Sequence, residues 1–172
     1  FTPSSASNRR TWTWSGWIKN TESSNGNAFN LFGAGADVKN RAHIDWNTNG
    51  TFQVEAKSGG STQLKHEGST NVSDPNAWYH VVWRLDTTDG TSANRSRVYI
   101  NNVQVVFSSL GATPSQNDDL AVNNNVIHVL GKRSYVNENY FGGYLCEVHF
   151  TDGTSYAPTA FGKYDSNGVW VP

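Results

Sequence analysis

Residues 11–19 read TWTWSGWIK. Trp12, Trp14 and Ile18 fall on one face of an extended chain, with Gly16 between them, while Thr11, Thr13, Ser15 and Lys19 fall on the other. A period of two belongs to the β-strand, whose successive side chains point to opposite sides of a sheet, and here it predicts a half-buried strand. AWYHVVWRL at 77–85 and YFGGYLCEVHFTDG at 140–153 interleave aromatic or β-branched residues with polar ones in the same way. A chain whose strongest segments all read so is expected to be all-β.

Working outward, AFNLFGAG (28–35) reads as a second strand, and RAHIDW (41–46) with TFQVEAK (51–57) as a hairpin. In that hairpin Ala42, Ile44 and Trp46 match Phe52, Val54 and Ala56. Asn49-Gly50, in the intervening NTNG, tolerates the positive φ of a tight turn. STQLKH (61–66) is a weaker strand and DPNA (74–77) a turn. WYHVVWRLD (78–86) carries apolar residues on both faces, as an inner strand between layers does. TTDGTSANR (87–95) is a polar loop, and SRVYINNVQVVF (96–107) is a hairpin turning at Asn101-Asn102. VIHVLG and YLCEVHF supply the last strong strands, and the one expected helical turn lies in APTAFGKY, opened by Pro158. About ten to twelve short antiparallel strands without crossover helices predict a two-sheet antiparallel β-sandwich or jelly roll.

The 172 residues are read as a single domain, 1–172, with its core at about 9–163. Such a chain can bury roughly two-thirds of its unfolded surface. Seven Trp, seven Tyr and eight Phe compensate for few leucines. A net charge of −1 and no long basic run argue against nucleic acid as a partner. No run approaches the ~20 apolar residues of a membrane-spanning helix, so membrane insertion is not expected. The chain has no Met and is read as a domain of a longer protein. Its one cysteine, Cys146, has no intrachain partner; parity with Tyr144, Val148 and Phe150 predicts a buried, reduced thiol.

Four segments carry a family resemblance: TWSGWIK, Trp78-Tyr79-His80-Val81-Val82, Val98-Tyr99-Ile100-Asn101-Asn102 and Phe141-Gly142-Gly143-Tyr144-Leu145-Cys146-Glu147-Val148. In this order they resemble the concanavalin A-like lectin/glucanase superfamily, and within it the laminin-G-like (pentraxin-like) jelly rolls, over roughly residues 9 to 163. RRTWTWSGWIK, AWYHVV and GYLCEVHFTDGTSYAPTAFG look most like the version found in tail-fibre and other virion proteins of tailed bacteriophages. Two positions depart from the pattern. Asn102 stands where the family usually has Gly, and Cys146 stands where many such modules have Asp beside the Glu, so no role of that acid is carried over.

The resemblance raises three kinds of chemistry. Glucanases of the superfamily set their carboxylates in a Glu-x-Asp-x-x-Glu pattern, and glycoside hydrolysis needs an acid and a nucleophile or base flanking the bond. None of the five glutamates, Glu22, Glu55, Glu67, Glu138 and Glu147, makes that pattern, so no catalysis is expected. Calcium needs six to eight oxygens. Asp86, Asp89, Asp118, Asp119 and Asp37 are the candidate ligands, against the alternative that they lie in ordinary polar turns. Zinc is disfavoured, since the pairs His43–Asp45 and Glu147–His149 offer only two ligands each and His66, His80 and His128 are scattered. Sugar binding needs aromatic platforms with planar polar side chains. Tyr135, Asn137, Tyr140 and Trp17 are the candidates, with most other aromatics assigned to the core.

The resulting expectation is a non-catalytic recognition module of a phage virion protein, such as a tail fibre. It would be displayed in multiple copies on the particle surface, in an extracellular setting, binding a bacterial surface glycan. Two alternatives stand beside it. One is a structural or decoration module packing on other virion proteins of the capsid or fibre. The other is a secreted adhesion module, in which the sequons at Asn49, Asn71 and Asn94 would matter if the source were eukaryotic.

Overall fold

The computed structural model describes residues 1–21, 28–47, 49–68, 72, 74 and 76–172. Thr48 of NTNG, Pro75 of DPNA, Glu22 and the first and last residues of the Asn71 sequon lie outside that set. The strands are β1 (Thr11–Asn20), β2 (Phe29–Asp37), β3 (Asn40–Trp46), β4 (Phe52–Ser58), β5 (Ser61–Gly68), β6 (Tyr79–Asp86) and β7 (Ser96–Ile100), then β8 (Val103–Gln104), β9 (Phe107–Ala112), β10 (His128–Leu130), β11 (Gly143–Asp152), β12 (Lys163–Tyr164) and β13 (Trp170–Val171). Among the described residues, helix is confined to single 3-10 turns at Ser92–Asn94 and Pro158–Ala160, the second where Pro158 predicts it. One sheet has the order β11-β1-β6-β7-β8, a second β10-β2-β3-β4-β5-β9, and β12 pairs with β13. Every pairing is antiparallel, so the sandwich expected from the sequence is the fold.

The core lies between the two large sheets. Trp12, Trp14 and Ile18 of β1 point into it with Val81, Trp83 and Leu85 of β6, facing Phe32, Ile44, Trp46 and Val54 of the second sheet. Trp12 and Trp83 meet edge to face at 4.7 Å, a contact that contributes about 0.5–1.5 kcal/mol beyond its area. The β3–β4 register pairs Ala42 with Ala56, Ile44 with Val54 and Trp46 with Phe52, as their shared face predicts. Gly50 has φ 78°, and Asn101 and Asn102 have φ 48° and 68°, the two left-handed residues of a tight hairpin turn.

Two expectations fail. The outer face of β1 is not exposed: Thr13, Ser15 and Trp17 are buried, as are His80 and Val82 beside them on β6. The C-terminal segment forms a third layer there. Thr13 Oγ1 donates to the Thr154 carbonyl, Arg84 Nε donates to Ser155 Oγ, and Trp170 Nε1 donates to His80 Nδ1. Cys146 is exposed, not buried. Ser15 pairs with His149 but Trp17 pairs with Cys146, so β11 carries one residue more than β1 at this point. Glu147 takes φ 47° to accommodate it. This bulge reverses the parity: Leu145, Val148 and Phe150 pack toward the core, and Cys146 goes outward with its partner Trp17.

Candidate functional site

The outer face of the six-stranded sheet carries a polar cluster assembled from two neighbouring strands and one distant loop. Alternation puts Arg41, His43 and Asp45 of β3 on that face, and the register sets His43 opposite Glu55 and Arg41 opposite Lys57. The loop between β10 and β11 crosses above them. Arg133 from that loop donates through Nη2 to Asp45 Oδ2 at 3.0 Å and through Nη1 to the Tyr135 hydroxyl at 3.3 Å. Arg41 donates through Nη2 to Glu55 Oε2 at 3.0 Å, and its guanidinium carbon lies 5.0 Å from the centre of the Tyr135 ring. Asn30 Nδ2 donates to Asp45 Oδ1 at 2.9 Å, and Lys57 Nζ lies 3.4 Å from Glu55 Oε1.

The two carboxylates are held ionised. Burial pushes the Asp45 carboxyl up, but His43, Arg133 and Asn30 outweigh it and hold it below its ordinary range. Burial likewise acts on Glu55 and is outweighed by Arg41, His43 and Lys57. A paired-carboxylate glycosidase raises the pKa of one of its two acids, and here both are lowered. The cluster also holds unsatisfied groups: Asn30 Oδ1, Arg41 Nε, both His43 ring nitrogens and Arg133 Nε are buried without a hydrogen-bond partner. His43 Nε2 is 3.3 Å from Asp45 Oδ2 and 3.5 Å from Glu55 Oε2, without the alignment of a hydrogen bond to either. Other buried nitrogens among the described residues, on Trp12, Trp14, Trp17, His66 and Arg97, also lack a protein partner, so what sets this cluster apart is its charge and its place under the loop.

The residues expected to bind sugar divide between two places. Tyr135 is half-buried in the cluster, and Asn137, on the same loop, is exposed and accepts from Lys132 Nζ at 3.1 Å. Tyr140, 56% exposed, stands where the loop turns back toward β11. Trp17 belongs to the opposite side of the sandwich, 8% exposed and stacked on His80 at 5.1 Å. It lines a second hollow of about 290 Å³ with Trp78, Cys146, Trp170, Val171 and Pro172. That lining is apolar apart from one thiol and has few groups to orient sugar hydroxyls.

His80 sits behind this hollow with Ser15 Oγ 2.8 Å from Nε2. The pair resembles a nucleophile and its base but is arranged the wrong way. Trp170 donates to Nδ1, so the neutral ring carries its proton on Nε2 and donates to Ser15 instead of accepting from it.

The carboxylates expected to hold calcium are each committed elsewhere. Asp37 Oδ1 accepts from the Lys39 and Asn40 amides within the β2–β3 turn. Asp86 accepts from the Thr88 amide, Asp89 from the Thr91 amide and Asp118 from the Ser115 amide. Asp119 pairs with Arg10 at 2.7 Å. On the rim shared by the 86–89 and 115–119 loops, guanidinium groups already serve the oxygens a cation would need: Arg95 reaches the Asp89 and Pro114 carbonyls, and Arg9 the Leu120 carbonyl. Among the described residues no three His, Cys, Asp or Glu side chains gather as a metal site. These residues do not fit a calcium ion.

The fold is a β-sandwich of two large antiparallel sheets, with a polar, charged cluster on one outer face. By sequence the chain belongs to the concanavalin A-like lectin/glucanases superfamily, matched over residues 1–157. No curated protein sequence matches it. Among solved structures, the CBM40 module of the Ruminococcus gnavus IT-sialidase is similar with a TM-score of 0.63 at 11% identity, covering 94% of this chain and 93% of that one. Domain 4 of an extracellular arabinanase from Geobacillus stearothermophilus, in complex with arabinotriose, aligns with a TM-score of 0.57 at 16% identity over 90% of this chain and 66% of that one. A heptameric SAP-like pentraxin from Limulus polyphemus gives 0.53 at 16% identity, over 87% and 67%. At these identities the likeness shows a shared fold.

The sequence pairs His43 with Asp45 and offers Tyr135 as a sugar-binding candidate, but it does not single out Arg41, Glu55 or Arg133. The signal for Arg41 and Glu55 was available in the hairpin register, which sets a row of charges on the face opposite Ala42, Ile44, Val54 and Ala56. Nothing in the local sequence marks Arg133 as their partner, since 88 residues separate it from Asp45.

Proposed function

We propose that this chain is a non-catalytic glycan-recognition module, and that it reads its ligand at the loop-covered outer face of the six-stranded sheet. The observation that carries the reading is the charged cluster held under Tyr135 by Arg133 and Arg41, on a loop that also exposes Asn137 and Tyr140. Sugars are bound by aromatic faces and planar polar groups, and this face supplies both. Related folds support it, since the CBM40 module has been solved with α2,3 sialyllactose and the arabinanase domain with arabinotriose. The resemblance to tail-fibre modules supports a place on the surface of a tailed-phage virion, with a bacterial surface glycan as ligand. Display in several copies would turn weak single-site binding into firm attachment.

A second reading, packing against another virion protein, draws on one observation. Val103, Val106 and Leu110 are 65%, 74% and 64% exposed along β8, β9 and the residues joining them. Apolar groups so exposed suit a protein partner better than a sugar.

The test is retention of the displayed module on purified envelope glycans, with reducing ends assayed in parallel. Retention without new reducing ends is the expected result. Release of sugar would refute the non-catalytic assignment, and no retention of a multivalent form would favour the protein-packing reading.

A further inference from the structure

The charges of the cluster are layered. The carboxylates lie at the bottom: the side chains of Asp45 and Glu55 are 1% and 11% exposed. The charged groups of the cluster that reach solvent furthest are Arg133 and Lys57, at 25% and 27% side-chain exposure, while Arg41 lies as deep as Glu55. Arg41, Lys57 and Arg133 outnumber Asp45 and Glu55 by one positive charge, before His43 is considered. Lys132 on the loop above and Lys65, paired with Glu55 across β4–β5, add two more, against Glu138 on the loop, Glu67 on β5 and Asp37 in the β2–β3 turn, whose carboxylate is taken up by the Lys39 and Asn40 amides. Asp45 and Glu55 therefore orient the cations from below and do not face an incoming ligand. The Nε–H groups of Arg41 and Arg133 face inward, away from solvent, so the edge that Arg133 offers a ligand is that of its terminal nitrogens, held in place by Asp45 and Tyr135.

We infer that the glycan this face selects is acidic, its anionic group meeting the exposed edge of Arg133 and the Lys57 ammonium while a sugar ring rests by Tyr135. The inference rests on the reading that the module binds glycan here and goes beyond it by naming the ligand's charge. A planar guanidinium fixed by Asp45 and Tyr135 suits an oxyanion better than a hydroxyl, because charge-assisted hydrogen bonds are about twice as strong as neutral ones. Carboxylate and sulfate share that chemistry.

Two matched polymer pairs test it by affinity electrophoresis of the whole chain: polygalacturonate against its methyl ester, and dextran sulfate against dextran. Each pair keeps the sugar backbone and changes the charge. Retardation by a charged member and not by its neutral twin supports the inference, and the responding pair names the anion. It should weaken as sodium chloride rises from 50 to 500 mM, through screening. Lys57→Gln should weaken binding about threefold and the double variant Arg133→Gln/Asp45→Asn about tenfold, or 1.4 kcal/mol. The double variant removes both partners, so no buried carboxylate is stranded, and a thermal melt confirms that each variant is folded. Equal retardation by charged and neutral twins would overturn the acidic ligand while leaving glycan binding intact. Indifference to all four polymers would overturn it as well, and retention on envelope glycans then decides separately whether the module binds sugar.

Discussion

Acidification should loosen the third layer through one residue. His80 is 1% exposed, sandwiched between the Trp17 and Trp170 rings at 5.1 and 5.9 Å, and Trp170 Nε1 donates to its Nδ1 at 2.9 Å. Burial, with repulsion from His149, depresses its pKa from 6.5 to about 4. The unfolded chain then binds a proton that the folded chain refuses between these two values, so the stability due to neutral His80 is complete above pH 6.5 and is lost as pH falls toward 4. Each pKa unit is worth about 1.4 kcal/mol. After discounting the screened repulsion from His149, whose side chain is 50% exposed, the loss should be about 2–3 kcal/mol. In a domain of this size that lowers the melting temperature by roughly 5–10 °C. Urea melts at half-unit steps from pH 4 to 7, on the native chain and on His80→Gln, isolate the effect. His66 and His128 are also depressed by burial and act with the same sign in both proteins. The stability difference between native and variant should shrink as pH falls through this window. A difference that stays constant would refute the argument.

Other expectations follow from single contacts. Asn102→Gly should be neutral or stabilise by about 0.5 kcal/mol, because glycine takes a positive φ without a Cβ penalty. Asn101→Gly should cost about 1 kcal/mol, since Asn101 Oδ1 accepts from the His80 amide at 2.8 Å; urea melts of both variants check the contrast. Cys146 should react with a thiol reagent in the native state as fast as an exposed thiol does, and Cys146→Ser should change stability by no more than about 0.5 kcal/mol. Melting midpoints in calcium and in chelator should coincide. A gain near 2.7 kcal/mol at a hundredfold excess over the dissociation constant would reveal a site that the rim carboxylates do not show.

The parts of the fold legible in the sequence are those fixed by local period and turn chemistry. The faces of β3 and β4 and the left-handed pair at Asn101-Asn102 depend only on neighbours along the chain. Cys146 was misread because parity propagates only through an unbroken ladder, and Glu147 interrupts it with a conformation that a glutamate does not advertise. The buried outer face of β1 was misread because its cover, from Thr154 to Val171, comes from the far end of the chain. The candidate site was legible in the same partial way. Tyr135 stood out as a loop aromatic, but its partners are set by tertiary crossing of the β10–β11 loop over β3. Trp17 looked equally available and is sealed by His80 and Trp170.

The central claim is that ligand is read at the outer face of the six-stranded sheet. It is tested most directly by mapping amide chemical-shift changes as an envelope glycan retained by the module is titrated in. The expected footprint covers Arg41, Lys57, Lys132, Arg133, Tyr135 and Asn137. Shifts centred instead on Trp78, Cys146 and Trp170, or confined to the exposed residues of β8 and β9, would contradict it.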